Sequence, residues 1–194
     1  MPAMSATSRR LIAVDAENLL GCDPTIASAV CWEFAIVGLL HAVGFRQDLD
    51  HLVIAVAPHW AFTVMAIAPS ARLVVRKGRH GADLALCDAL EDTAFIAGRY
   101  SEVVIASGDH IFCEAVRSLA DAGVTTTIAG LPTQTSSELT ASASSVMWLD
   151  RPSRFLGEAA TVGIAPARLD AIPRAPLHSG RMLLRHRAGL ALAA

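Results

Sequence analysis

The chain has 194 residues, 53% of them hydrophobic, which is enough apolar mass for one full core and excludes an intrinsically disordered chain. Sixteen Lys/Arg stand against eighteen Asp/Glu, unevenly: residues 1–150 hold nine basic and sixteen acidic residues, net −7, and residues 151–194 hold seven Arg and two acids, net +5. An acidic body excludes bulk attraction to nucleic acid, so any such binding would rest on a local basic patch, a metal or the tail.

Taken in chain order, Arg9-Arg10 precedes a short apolar run that Asp15 and Glu17 interrupt, so no signal peptide is expected. That run predicts a first strand over 11–15. Asp23-Pro24 fits an N-cap with a first-turn proline, and Gly44 fits a C′ stop, which predicts a helix over 24–43. A strand over 51–57, a helix over 59–68 and a strand over 71–75 follow. Next come a helix over 82–97, a strand over 102–107, a helix over 109–122 closed by Gly123, a strand over 125–129, a helix over 136–143 and a weaker strand over 145–149.

In the helix over 109–122, Ile111, Phe112, Ala115, Val116, Leu119 and Ala122 form one core-facing stripe, opposite Glu114, Arg117 and Asp121. The strands are continuous apolar runs rather than alternating ones, the pattern of a parallel sheet covered on both faces. The prediction is therefore an α/β three-layer sandwich with a central, mainly parallel sheet over residues 1–150. Residues 151–194, rich in Pro, Ala, Gly and Arg, form an irregular C-terminal extension in which 182–193 could make a short helix.

Cys22, Cys31, Cys87 and Cys113 show no metal-type or redox-type spacing and lie in or beside apolar segments, as reduced core cysteines do. A cytoplasmic location is expected. The longest apolar windows, 26–40 and 52–68, fall short of the ~20 residues a bilayer demands, so no membrane association is expected. Trp32, Trp60 and Trp148 lie in apolar surroundings and are assigned to the core, which leaves base stacking without visible support. Glycine-rich dinucleotide or P-loop fingerprints and a serine nucleophile elbow are absent, and the histidines lack zinc-ligand spacing.

The chemistry concentrates at strand ends. Asp15 closes the first strand, Asp109 follows the fourth in Ser107-Gly108-Asp109, and Asp83 opens the helix after the third. An Asp at a helix start is most often an N-cap, so each taken singly is structural. Together they converge on the crevice at the carboxyl edge of an open sheet. Several carboxylates there suit a hard divalent cation, Mg²⁺ or Mn²⁺, which takes oxygen ligands and can activate water at a phosphodiester. Asp88 is a further candidate, although five residues from Asp83 it sits about 140° away around a regular helix. Arg72, Arg76, Lys77, Arg79 and His80 form the basic cluster of the body, able to grip phosphate or simply to be solvated.

The order of these motifs resembles a known family. The first strand leads into Asp15-x-x-Asn18; Lys77-Gly78 then precedes Asp83, Leu86 and Asp88; and Ser107-Gly108-Asp109 runs on to Phe112. Together over about residues 10–150 they resemble the NYN domain, also described as LabA-like or DUF88, of the PIN-like nuclease superfamily. The resemblance implies a PIN-like sheet, RNA, single-stranded, as substrate, and Asp15, Asp83 and Asp109 as metal ligands. It further implies that Asn18 orients a water or phosphate, with Asp88 as a further acid and Ser107 holding its loop. Arg76, Lys77, Arg79 and His110, with Ser107, are the candidate substrate contacts.

The family commonly carries a second acid where this chain has Ile111, which motivates the alternative of a catalytically degenerate domain binding RNA or a protein partner. Another metal-dependent hydrolase acting on small phosphate esters is a third reading, since Asp15-Ala16-Glu17 approximates Asp-x-Asp. A homodimer is left open by the sequence.

Overall fold

A computed structural model describes residues 9–149. The predicted extension over 151–194, with its short helix, lies outside the described residues. Six strands, β1 (Arg10–Asp15), β2 (His51–Val56), β3 (Arg72–Val75), β4 (Glu102–Ala106), β5 (Thr125–Gly130) and β6 (Ser145–Trp148), form one sheet in the order β3-β2-β1-β4-β5-β6. Every pairing is parallel.

Seven helices connect them: α1 (Ala16–Leu19), α2 (Ala29–Ala42), α3 (Ala61–Ile67), α4 (Gly81–Leu90), α5 (Thr93–Ala97), α6 (Cys113–Asp121) and α7 (Ser137–Ser142). The predicted three-layer α/β architecture is the one observed. Alternate strand residues feed two separate cores. Leu11, Ala13, Val53, Val103 and Ile105 pack with α4, α5, α6 and α7. Ile12, Val14, Leu52, Ile54 and Val104 pack with α1, α2 and α3 on the other face. Only the edge strands β3 and β6 depart from continuous burial, being half-exposed.

Several predicted boundaries shift for local reasons. Asp23 and Pro24 do cap a helix, but it is a single 3-10 turn; α2 starts later, where the Ser28 hydroxyl accepts from the Cys31 N–H. The stretch 82–97 is two helices, because Asp92 accepts the Phe95 N–H and restarts the chain as α5. Asp109 likewise caps a 3-10 turn over His110–Phe112, ahead of α6. The α6 stripe is as predicted, with Phe112, Val116 and Leu119 fully buried.

Trp32 is fully buried and Trp60 partly so, but Trp148, at the end of the edge strand β6, is 53% exposed. Of the cysteines only Cys113 is buried; Cys22 is exposed. Among the described residues no helix is long and apolar enough to cross a membrane.

The strand order reverses between β1 and β4. Chain leaving β1 turns to one side of the sheet and chain leaving β4 to the other, so the loops separate and open a crevice at their carboxyl ends. Asp15 ends β1 and Ser107-Gly108-Asp109 follows β4, at that point.

Candidate metal centre

Asp15 occupies an odd position of β1, in register with Leu11 and Ala13, so its side chain leaves the sheet on the α4 side. It is 2% exposed. Oδ1 accepts the Asn18 N–H at 3.3 Å and Oδ2 accepts the Ser107 hydroxyl at 3.0 Å. The Ser107 oxygen accepts in turn from the Asp109 N–H at 3.2 Å. Asn18 Oδ1 accepts the Gly108 N–H at 2.8 Å, tying the β1 and β4 loops together and leaving chiefly its NH₂ for any ligand. Gly108 is required by space: a Cβ there would collide with the Gln134 carbonyl oxygen of the loop after β5.

A cleft of about 280 Å³ gathers Asp15, Glu17, Asn18, His80, Asp83 and Asp109 in its wall, with Pro24 and Ala57 at its margin. One ligand atom each from His80, Asp83 and Asp109 lie within 4.8 Å of one another, and Asp15 lies beside them, within the electrostatic reach of Asp83. Burial first, and then the negative charge of Asp83, push the Asp15 carboxyl up to about 7, against the opposing hydrogen bonds from Asn18 and Ser107. Cys87, on α4, lies in the same field: burial, then the negative charges of Asp83, Asp88, Asp109 and Glu114, push its thiol up to about 11.

Two lining residues were not among the predicted metal ligands. Glu17, which reads as a solvated helix-start residue, turns back to accept the Ala57 N–H at 2.8 Å beside the cleft. Its only signal was the Asp-x-Glu spacing at a strand end. His80, which reads as part of the basic cluster, precedes α4 in the left-handed region at φ 58°, a conformation costing a non-glycine residue on the order of 1 kcal/mol. Its Nδ1 lies 3.2 Å from Asp83 Oδ2.

The remaining predicted residues are placed elsewhere or act differently. Asp88 stands outside the cleft wall, 66% exposed and paired with Arg76 at 3.1 Å, as its angular distance from Asp83 anticipates. That pairing engages Arg76 as well. Lys77 and Arg79 are exposed and flank the cleft residues Gly78 and His80 without lining it. Ser107 is 1% exposed with its proton committed to Asp15, so it positions carboxylates rather than touching substrate. His110 is largely exposed, 3.0 Å from Asp109 Oδ1 and outside the wall. Ile111 packs against the core under α6 and lines a separate groove with Leu84, Cys87 and Glu114.

The donor set of carboxylate oxygens with one imidazole fits a hard divalent cation such as Mg²⁺ or Mn²⁺ better than a thiophilic metal. The three acids and the buried Asp15 carry more negative charge than any neighbouring cation of the cleft wall offsets.

No protein-family model matches the chain, and no curated protein matches it. Among solved structures it is similar to a protein of unknown function from Vibrio parahaemolyticus. The TM-score is 0.53 at 19% identity, over 77% of this chain and 98% of that one. At that identity the likeness shows a shared fold.

Proposed function

We propose that the chain is a metal-dependent ribonuclease of the NYN type, hydrolysing RNA phosphodiester bonds at the cleft between the β1 and β4 ends. The observation that carries this reading is Asp15: a carboxylate 2% exposed, set against a second acid, with only neutral donors to hold it. A buried charge without a partner is costly, so the arrangement makes sense when a cation completes it.

Asp15, Asp83 and Asp109 would hold Mg²⁺ or Mn²⁺, with His80 and Glu17 beside them. A divalent cation bound there supplies a water of lowered pKa and neutralises charge developing on the scissile phosphate. Ser107 fixes the Asp15 and Asp109 loops, Asn18 presents its NH₂ to a phosphate oxygen, and Lys77 and Arg79 attract the backbone of a single strand. Position 111 bears on the degenerate alternative. Ile111 faces the α4–α6 groove, so the acid commonly found there is one the cleft of this chain does not miss. A cytoplasmic location accompanies the reading, since all four cysteines are free.

The test is cleavage of labelled single-stranded RNA by the purified full chain with Mn²⁺, with EDTA and Asp109→Asn as paired controls. The reading expects cleavage that both controls abolish. Folded protein that binds RNA without cutting it would replace the ribonuclease with a binding-only domain. Turnover of small phosphate esters alone would point to the third class.

A further inference from the structure

The helices on the two faces of the sheet are built differently. α6 turns Glu114, Arg117 and Asp121 to water, but α2 is apolar all round, with Glu33 as its one charged side chain and His41 near its end. Such a helix is normally buried on every side. Here Trp32, Ala35, Ile36 and Leu39 pack inward, while Val30, Phe34 and Val37, at spacings of four and three, line the opposite side at 48%, 41% and 50% exposure. The patch extends to Ile26 ahead of α2 and to Phe62 and Met65 on α3, which packs beside α2. Together the six residues leave roughly 600 Å² in water, at the top of the range for a monomer and close to the ~800 Å² that each partner of a stable complex contributes.

Gly38 adds a second observation. Glycine inside a helix weakens it relative to alanine, and a Cβ at this position would meet nothing within 4 Å. Among the described residues nothing therefore gives an internal reason for a glycine here, whereas a side chain arriving from a second copy would use the hollow. We propose that the α2 face, with Phe62 and Met65, is the interface of a two-fold homodimer in which α2 packs antiparallel on its own copy. Centred at the level of Ile36, that pairing sets Phe34 of each copy over Gly38 of the other, a self-complementary contact of the kind two-fold symmetry requires.

An anionic membrane surface fits less well, because neither α2 nor α3 contains Lys or Arg. Charge is also scarce where interface cores are depleted of it. Dimerisation would brace the acidic cleft from one side, since Pro24 in its wall lies two residues from Ile26 in the patch.

The experiment is sedimentation velocity on the full chain over a micromolar concentration series, with Phe34→Glu and Gly38→Leu alongside and circular dichroism to verify folding. Wild type should sediment at twice the 20.4 kDa chain mass. Gly38→Leu fills open space in the single chain but blocks the hollow, so it should raise the dimer dissociation constant at least about tenfold, as should Phe34→Glu. A wild-type chain that stays monomeric throughout, or a dimer unmoved by both substitutions, overturns the proposal. So does a monomer that instead co-sediments with phosphatidylglycerol vesicles.

Discussion

Two carboxylates are buried to nearly the same depth near opposite edges of the sheet, Asp50 at 4% exposure just before β2 and Asp15 at 2% at the end of β1. Asp50 is held by Arg10 at 2.6 Å and Arg46 at 2.8 Å and accepts backbone N–H groups from both. Burial alone would raise its pKa; the bonds from Arg10 and Arg46 more than reverse that and hold it well below the usual carboxylate range. Asp15 receives only an amide and a hydroxyl and faces another acid, which leaves it near 7. A chain that can bring two guanidiniums onto one buried acid leaves the other uncompensated. The difference separates a charge that serves the fold from one that the proposed metal would compensate.

The largest expected effect breaks the pair apart by function. Asp15→Asn should lower Mn²⁺-dependent RNA cleavage by about a thousandfold or more, by analogy with removing one essential electrostatic group from a site. Asp50→Asn should leave the activity per folded molecule intact. Specific activity, normalised to the folded fraction, measures both.

Stability should show the reverse. Asp50→Asn removes the partner of two guanidiniums and should cost about 3–5 kcal/mol in urea denaturation. Asp15→Asn, in metal-free protein above pH 7, should gain about 2 kcal/mol, because a neutral amide replaces an uncompensated buried charge. Equal destabilisation by the two substitutions would make Asp15 another structural acid.

The pH dependence carries opposite signs. Between the ordinary carboxylate value near 4 and about 7, folded Asp15 keeps a proton that the unfolded chain has lost. Its contribution is therefore present at low pH and declines as pH rises through that window, by at most about 1.4 kcal/mol per unit. Asp50, with a depressed folded value, contributes above the ordinary carboxylate range and is lost as pH falls below it. Denaturation of metal-free protein at pH 5 and pH 8, with and without Mn²⁺, should show the ion restoring stability mainly at the higher pH. A smaller effect sharpens the picture: Glu17→Gln keeps an acceptor for the Ala57 N–H and should weaken Mn²⁺ binding by about tenfold, with stability unchanged.

Much of the sheet was legible because β1, β2 and β4 are largely unbroken apolar runs, and at the ends of β1 and β4 the polar residues that stop them carry acids. Asp15, Asp83 and Asp109 therefore declare themselves as strand-end or helix-start residues, and helix geometry already separated Asp88 from Asp83. What stayed hidden depends on partners distant in the chain. Glu17 acquires its place from a backbone N–H forty residues on, and Asp50 from arginines on two other segments. The break after α4 rests on one Asp92 side chain choosing the Phe95 N–H over continued helix, and the turn of His80 into the left-handed region has no signature in residue type. Ser107 was visible as a loop residue, but only its burial shows that it holds carboxylates rather than substrate.

The most direct measurement is calorimetric titration of the metal-free full chain with Mn²⁺ at about pH 6 and about pH 8, beside Asp15→Asn and Asp50→Asn. One site per chain is predicted, with proton release at the lower pH as Asp15 gives up its proton, affinity lost in Asp15→Asn and kept in Asp50→Asn. A folded wild-type chain that takes up neither Mn²⁺ nor Mg²⁺ would contradict the account.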